Sequence, residues 1–166
     1  VWANSQGLLT PECWMRTLSL DFDPQTGLFS PQEGVEVSTF GWGTFESIEY
    51  LDYLGNVPLS ASSYMNNLVT VLGDIGYNVG KNLLGAPYDW RYSPSGLARI
   101  GFYKELCSLI EKAYADNGNK SVKLVGHSYG SSVANFFLSS LVSVEWKRRY
   151  ISAFVSIGGA LEGSPV

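Results

Sequence analysis

The chain is poor in the residues that several large classes of function depend on. Among 166 residues there is one histidine, His127, and there are two cysteines, Cys13 and Cys107. Two thiols do not make a disulfide framework, and one histidine outside any Cys/His cluster gives no metal site. Only 16% of the residues are charged, with a net charge of −4 and a pI near 4.9. That balance excludes nucleic acid as the main partner. No apolar run reaches the roughly 18 residues that a membrane span needs. Phe40-Gly41-Trp42-Gly43 lacks a third glycine at dinucleotide-binding spacing, so it predicts no nucleotide site, and no other cofactor is expected. The chain opens Val1-Trp2-Ala3, with no methionine and no leader layout; it is expected to begin inside a longer protein.

What remains is 45% hydrophobic, enough for one domain or part of a larger one. Residues 1–34 are punctuated by Gly7, Pro11, Pro24, Gly27, Pro31 and Gly34, which predicts irregular structure carrying the apolar weight of Trp2, Leu8, Leu9, Trp14 and Met15. That stretch reads equally as a loop folded over the core or as a patch that touches lipid. Alternation over 35–39 predicts a short strand. Tyr64, Leu68, Val71, Leu72 and Ile75 recur at helical spacing, with Ser62 or Ser63 as N-cap and Gly76 as stop. Residues 83–87 predict a buried strand. Tyr103, Leu106, Cys107, Ile110 and Tyr114 share one face of a second helix that starts after Ser93-Pro94 and closes at Asn117-Gly118. Residues 122–125 and 151–157 predict two more strands, with a helix to about Val142 between them. Lys147-Arg148-Arg149 reads as a solvated face. Helices and apolar strands thus alternate, predicting an α/β fold with a mostly parallel sheet covered by helices on both faces.

One junction carries chemistry. The apolar run from Val122 ends in Gly126-His127-Ser128-Tyr129-Gly130, and a helix-like run follows. This is the G-x-S-x-G nucleophile elbow, a strand-to-helix turn that exposes a serine hydroxyl. Glycines allow the tight turn and the close approach of helix to strand. A helix N-terminus beneath the serine favours the negative charge of acyl transfer. Ser128 is the candidate nucleophile.

The combination of Ala86-Pro87-Tyr88-Asp89-Trp90-Arg91, the elbow, and Phe154-Val155-Ser156-Ile157-Gly158 with Gly163-Ser164 resembles the lecithin:cholesterol acyltransferase family. Cys13-Trp14 and Tyr50-Leu51-Asp52 are similar to further landmarks of that family. The resemblance covers nearly the whole chain. It implies part of an α/β-hydrolase fold: residues 1–34 as a partial lid or membrane-binding segment, and 35–166 as the central part of the hydrolase domain. It implies a serine enzyme that takes an acyl chain from a phospholipid and passes it to a sterol, another alcohol or water, at a membrane or lipoprotein surface. Carried across, Ser128 is the nucleophile and the Tyr129 backbone N–H one oxyanion donor. Cys13 would pair with a cysteine upstream of Val1, and Trp2, Leu8, Leu9 and Trp14 would contact lipid. Asp89, Trp90 and Arg91 match a signature near the active site, read here as an Asp–Arg pair holding a loop. Where the family commonly has Ala-Pro-Trp after the last strand's glycine, this chain has Gly159-Ala160-Leu161. A secreted, lysosomal or endoplasmic-reticulum setting is implied by the resemblance only.

A hydrolase triad runs Ser, acid, His along the chain, yet the residues after Ser128 contain neither Asp nor His. His127 cannot serve, because the side chain before the nucleophile points away from its hydroxyl. The base and acid are therefore expected in the rest of a longer protein, and these 166 residues alone are expected to be inactive. A generic lipase or esterase, and a non-catalytic lipid-binding member of the family, are the alternatives. Asn119-Lys120-Ser121 is an N-glycosylation sequon at a helix-to-strand turn, usable only on the secretory route.

Overall fold

The computed structural model describes residues 10–54 and 57–163. The chain packs as two compact units, Val1–Tyr92 and Ser93–Val166. Among the described residues no helix is long and apolar enough to cross a membrane.

The first unit is built of short pieces. Helix α1 (Pro11–Leu18) begins with Pro11 in its first turn and has Glu12 near its N-terminus and Arg16 in its last turn, each on the end its charge suits. Strands β1 (Leu20–Asp23) and β2 (Leu28–Pro31) form an antiparallel hairpin with Phe22 opposite Phe29. Asp23 makes the turn. Its carboxylate accepts from the Gln25 N–H at 2.8 Å and the Thr26 hydroxyl at 2.6 Å. The Thr26 bond, then the Gln25 N–H, hold the Asp23 pKa below its ordinary value. The Pro and Gly residues that predicted an irregular stretch here instead start a helix and close a hairpin, with Gly27 at φ 65°.

Two expected strands are absent. Residues 35–39 run as loop: they alternate, but no described strand pairs with them. Residues 83–87 are also not a strand, apart from a single bridge between Val79 and Leu83. Gly85 lies so close to the 41–44 turn that a Cβ there would sit 2.1 Å from the Thr44 carbonyl oxygen, and its own oxygen accepts from Gly43 N–H. A minimal hairpin of β3 (Tyr53–Leu54) and β4 (Val57–Pro58) precedes a 3-10 turn at Ser60–Ser62. The Ser62 hydroxyl is bound to the Asp52 and Leu59 carbonyls, so it does not cap the next helix. Helix α2 (Asn66–Asp74) starts from Met65 with no side-chain cap, and Gly76 (φ 97°) follows its end.

The second unit holds a continuous apolar core and a β-α-β unit. Helix α3 (Pro94–Arg99) is capped by Ser93, whose hydroxyl accepts from Gly96 N–H. Gly101, at φ 90°, then divides what the periodicity predicts as one helix, and α4 (Phe102–Asp116) follows. Strand β5 (Val122–His127) leads through the elbow into α5 (Tyr129–Phe136), which ends in a π-helical turn, Phe137–Leu141. Helix α6 (Val144–Tyr150) includes the Lys147-Arg148-Arg149 run in its last turn, and β6 (Ile151–Ile157) pairs with β5 in parallel. A parallel pair needs a long crossover; α5 and α6 supply it. Leu97 and Phe137 are fully buried. Tyr103 stacks on Phe137 at 5.7 Å and donates to the Val133 carbonyl at 3.1 Å. The described residues thus make an α/β arrangement of small sheets, one parallel and two antiparallel.

Candidate active site

Ser128 sits between β5 and α5 with φ 51° and ψ −123°. Among the described residues only Ser128 and Asn119 have positive φ without being glycine. Such a backbone costs of order 1–3 kcal/mol and persists only where neighbours over-determine it. Here they do. The Ser128 N–H donates to the Ile157 carbonyl of β6 at 2.9 Å, and the Ser128 carbonyl accepts from Ser131 N–H at 3.0 Å. The serine is thereby held at the C-terminal ends of both parallel strands, half-buried.

The glycine two residues before it is there for space. A Cβ on Gly126 would meet the Gly130 carbonyl oxygen at 2.7 Å and carbon at 2.8 Å, and the Ser131 Cα at 2.8 Å. These are backbone atoms and cannot swing aside. Tyr129 is the first residue of α5, so its N–H lies at the positive end of the helix. Burial raises the Tyr129 phenol pKa. His127 is the last residue of β5, in register with Ile157.

Two residues that the motif did not single out complete the junction. Ser131 is fully buried, and its hydroxyl donates to the Gly126 carbonyl at 2.9 Å. Gly159 packs against it: a Cβ there would lie 2.5 Å from Ser131 Cβ, 2.7 Å from its Oγ and 2.2 Å from Ser156 Oγ. The departure at Gly159 therefore goes with two serines that occupy the space of an alanine methyl. The only sequence signal was the Gly158-Gly159 pair ending the last strand.

The other expected site residues belong to the first unit. Asp89 and Arg91 form an ion pair with side chains 13% and 4% exposed. Arg91 Nε donates to both Asp89 oxygens at 2.9 and 3.1 Å, Nη2 to Oδ2 at 2.6 Å, and Nη1 to the Thr17 carbonyl of α1 at 2.7 Å. The Asp89 hydrogen bonds raise the Arg91 pKa further against burial. Trp90 lies half-buried in the turn between them. Cys13 is exposed and Trp14 half-buried on α1. Trp2, Leu8 and Leu9 lie outside the described residues.

The family model for lecithin:cholesterol acyltransferase matches residues 1–166. The mouse phosphatidylcholine-sterol acyltransferase is 34% identical over 154 residues, covering 92% of this chain and 33% of that protein. The bovine lysosomal phospholipase A and acyltransferase is 34% identical over 167 residues, covering 99% of this chain and 39% of its own length. The human phosphatidylcholine-sterol acyltransferase is 33% identical over 153 residues. The chain thus spans about a third to two fifths of the curated relatives it matches. Matched along its whole length and carrying a strained serine between two glycines, this chain belongs to the lecithin:cholesterol acyltransferase family.

Proposed function

We propose that the full-length protein containing these residues is a lipid acyltransferase or phospholipase that works through an acyl-enzyme on Ser128. The observation that carries this reading is the positive φ of Ser128 at a β5–α5 junction with no room for a Cβ at Gly126. Strain of that kind gathers at functional sites, and in a nucleophile elbow it serves to expose the serine hydroxyl. The relatives' names supply the substrate class: phosphatidylcholine and sterol for one, phospholipase A and acyltransferase action for the other.

In the first step Ser128 Oγ attacks the ester carbonyl of a phospholipid acyl chain as its proton passes to a base. The Tyr129 N–H donates to the developing oxyanion. The C–O bond to the glycerol breaks, the lysophospholipid oxygen takes the proton, and the acyl chain remains on Ser128. A sterol, other alcohol or water then attacks the acyl-enzyme and restores the serine. The chain after Ser128 has no Asp or His, and His127 adjoins the nucleophile, so the base and acid come from the rest of the full-length protein within an α/β-hydrolase fold. The isolated 166 residues do not turn over. Residues 1–34 act as part of a lid that contacts the lipid surface, with Trp2, Leu8, Leu9 and Trp14 facing lipid and Cys13 in a disulfide whose other cysteine lies outside this chain.

Product analysis tests this directly. The full-length protein on vesicles of acyl-labelled phosphatidylcholine, with and without cholesterol, is expected to yield lysophosphatidylcholine together with sterol ester or free fatty acid. Ser128→Ala should lower turnover by at least about 10³-fold. Unchanged turnover in that variant would remove Ser128 from the mechanism. Activity confined to soluble short-chain esters would point to a generic esterase, and no turnover on either to a binding protein.

A further inference from the structure

We propose that Asn119 carries an N-linked glycan on the face of the second unit opposite Ser128. The inference is independent of the acyl-transfer reading. Asn119-Lys120-Ser121 is the only Asn-x-Ser/Thr sequence in the 166 residues, and such a sequence is an acceptor only where it is exposed. It is exposed here. Helix α4 ends in a left-handed Gly118 (φ 69°), and Asn119 N–H returns to the Tyr114 carbonyl at 2.9 Å, which is the closing bond of a Schellman turn. Asn119 itself is left-handed at φ 57° and exposed, and its carboxamide makes no hydrogen bond to the described residues. Asn117, two residues earlier, is different: its amide donates to the Ala113 carbonyl at 2.8 Å. A Cβ on Gly118 would meet nothing within 4 Å, so the space beside the turn is open.

Position makes the site compatible with a working elbow. β5 has six residues between the Asn119 turn and Ser128, on the order of 20 Å of strand. β6 runs parallel to it, so the N-terminal ends of both strands share the glycan's side and the C-terminal ends carry the nucleophile. A bulky, hydrated group at Asn119 covers the strand starts and leaves the acyl-transfer side clear.

The attachment is a balanced transfer. Asn119 Nδ2 attacks the anomeric carbon of a polyprenyl-diphosphate-linked oligosaccharide, whose C–O bond to the diphosphate breaks. A C–N bond forms, the amide gives up one proton, and polyprenyl diphosphate leaves. The proposal therefore also sets the protein on the secretory route, where that donor is found.

The test is made on the full-length protein isolated from its own cells. Peptide N-glycanase digestion in ¹⁸O-water should convert Asn119, and not Asn117, to ¹⁸O-labelled Asp in the peptide ending at Lys120. Expressed through a secretory pathway, Asn119→Gln and Ser121→Ala should each remove one glycan's worth of mobility shift, with Ser121→Thr and Asn117→Gln retaining it. Recovery of residue 119 wholly as unmodified Asn in the untreated native protein would overturn the proposal. So would a mobility shift unchanged in Asn119→Gln. The native-protein measurement needs no variant to fold.

Discussion

Residues 93–163 bury Leu97, Tyr103, Leu106, Ile110 and Phe137 around one aromatic stack. In the described part of residues 1–92 the buried positions are Asp52, Gly85, Pro87 and Tyr92. The second unit is held by apolar area, which is non-directional and tolerant. The first is held by directed polar ties: Arg91 to Asp89 and Thr17, Ser62 to Asp52 and Leu59, Arg16 to the Glu33 carbonyl. The strained Ser128 sits in the apolar unit, where its backbone can be held against a packed helix. The difference predicts unequal losses when apolar side chains are truncated in the two units.

The largest effect should come from the core. Phe137→Ala is expected to cost about 3–5 kcal/mol, because Phe137 is fully buried between Tyr103 and Trp146. Val71→Ala on α2, where Val71 is 59% exposed, should cost no more than about 0.5 kcal/mol. Denaturant unfolding of the two variants compares them, and equal costs would break the contrast. Gly126→Ala comes next, at about 2–3 kcal/mol, since its methyl meets backbone at 2.7 Å. It should also slow labelling of Ser128 by a serine-directed fluorophosphonate in the full-length protein by more than its stability loss implies. Labelling at the parent rate would show that the elbow tolerates the shift.

This contrast also explains what the sequence disclosed. Helix α4 was legible because burial repeats at its period, as with Leu106 and Ile110, strands β5 and β6 because they are apolar runs, and the elbow because Gly126 has a steric reason to be glycine. Residues 35–39 were misread as a strand from their alternation and residues 83–87 from their short apolar run, because neither signal supplies a partner to pair with. The helix and hairpin within residues 10–31 were hidden because Pro11 and Gly27 are equally at home in loops and at element ends. Ser131 was invisible: a serine three residues into a helix reads as solvent-facing, and only the fold shows its hydroxyl on the Gly126 carbonyl.

Arg91→Lys sharpens the polar half of the comparison. Lysine keeps the charge but cannot span both Asp89 oxygens and the Thr17 carbonyl at once, so a loss of about 2 kcal/mol is expected. The telling readout is local: amide exchange of α1 should quicken, because Thr17 loses its tie to Arg91. A variant as protected as the parent at α1 would mean that apolar contacts hold this helix after all.

Tyr103→Phe probes a polar bond set inside the apolar core. At neutral pH it should cost about 1 kcal/mol, for the lost bond to the Val133 carbonyl. Its effect on pH dependence should be the reverse. Burial, with a smaller contribution from Tyr129, pushes the Tyr103 phenol above its ordinary value of 10.0. The unfolded chain then releases the phenolic proton first as pH rises, so folding binds more protons than unfolding above that value. By linkage the stability that Tyr103 contributes is whole below about pH 10 and falls as pH climbs from there towards the raised folded value. Removing the hydroxyl should flatten that alkaline decline, so that the variant, weaker at pH 7, loses its disadvantage at higher pH. Parallel stability curves for parent and variant between pH 8 and about pH 11 would mean that water reaches the phenolate, and that the core of the second unit is less closed to solvent than its aromatic stacking implies.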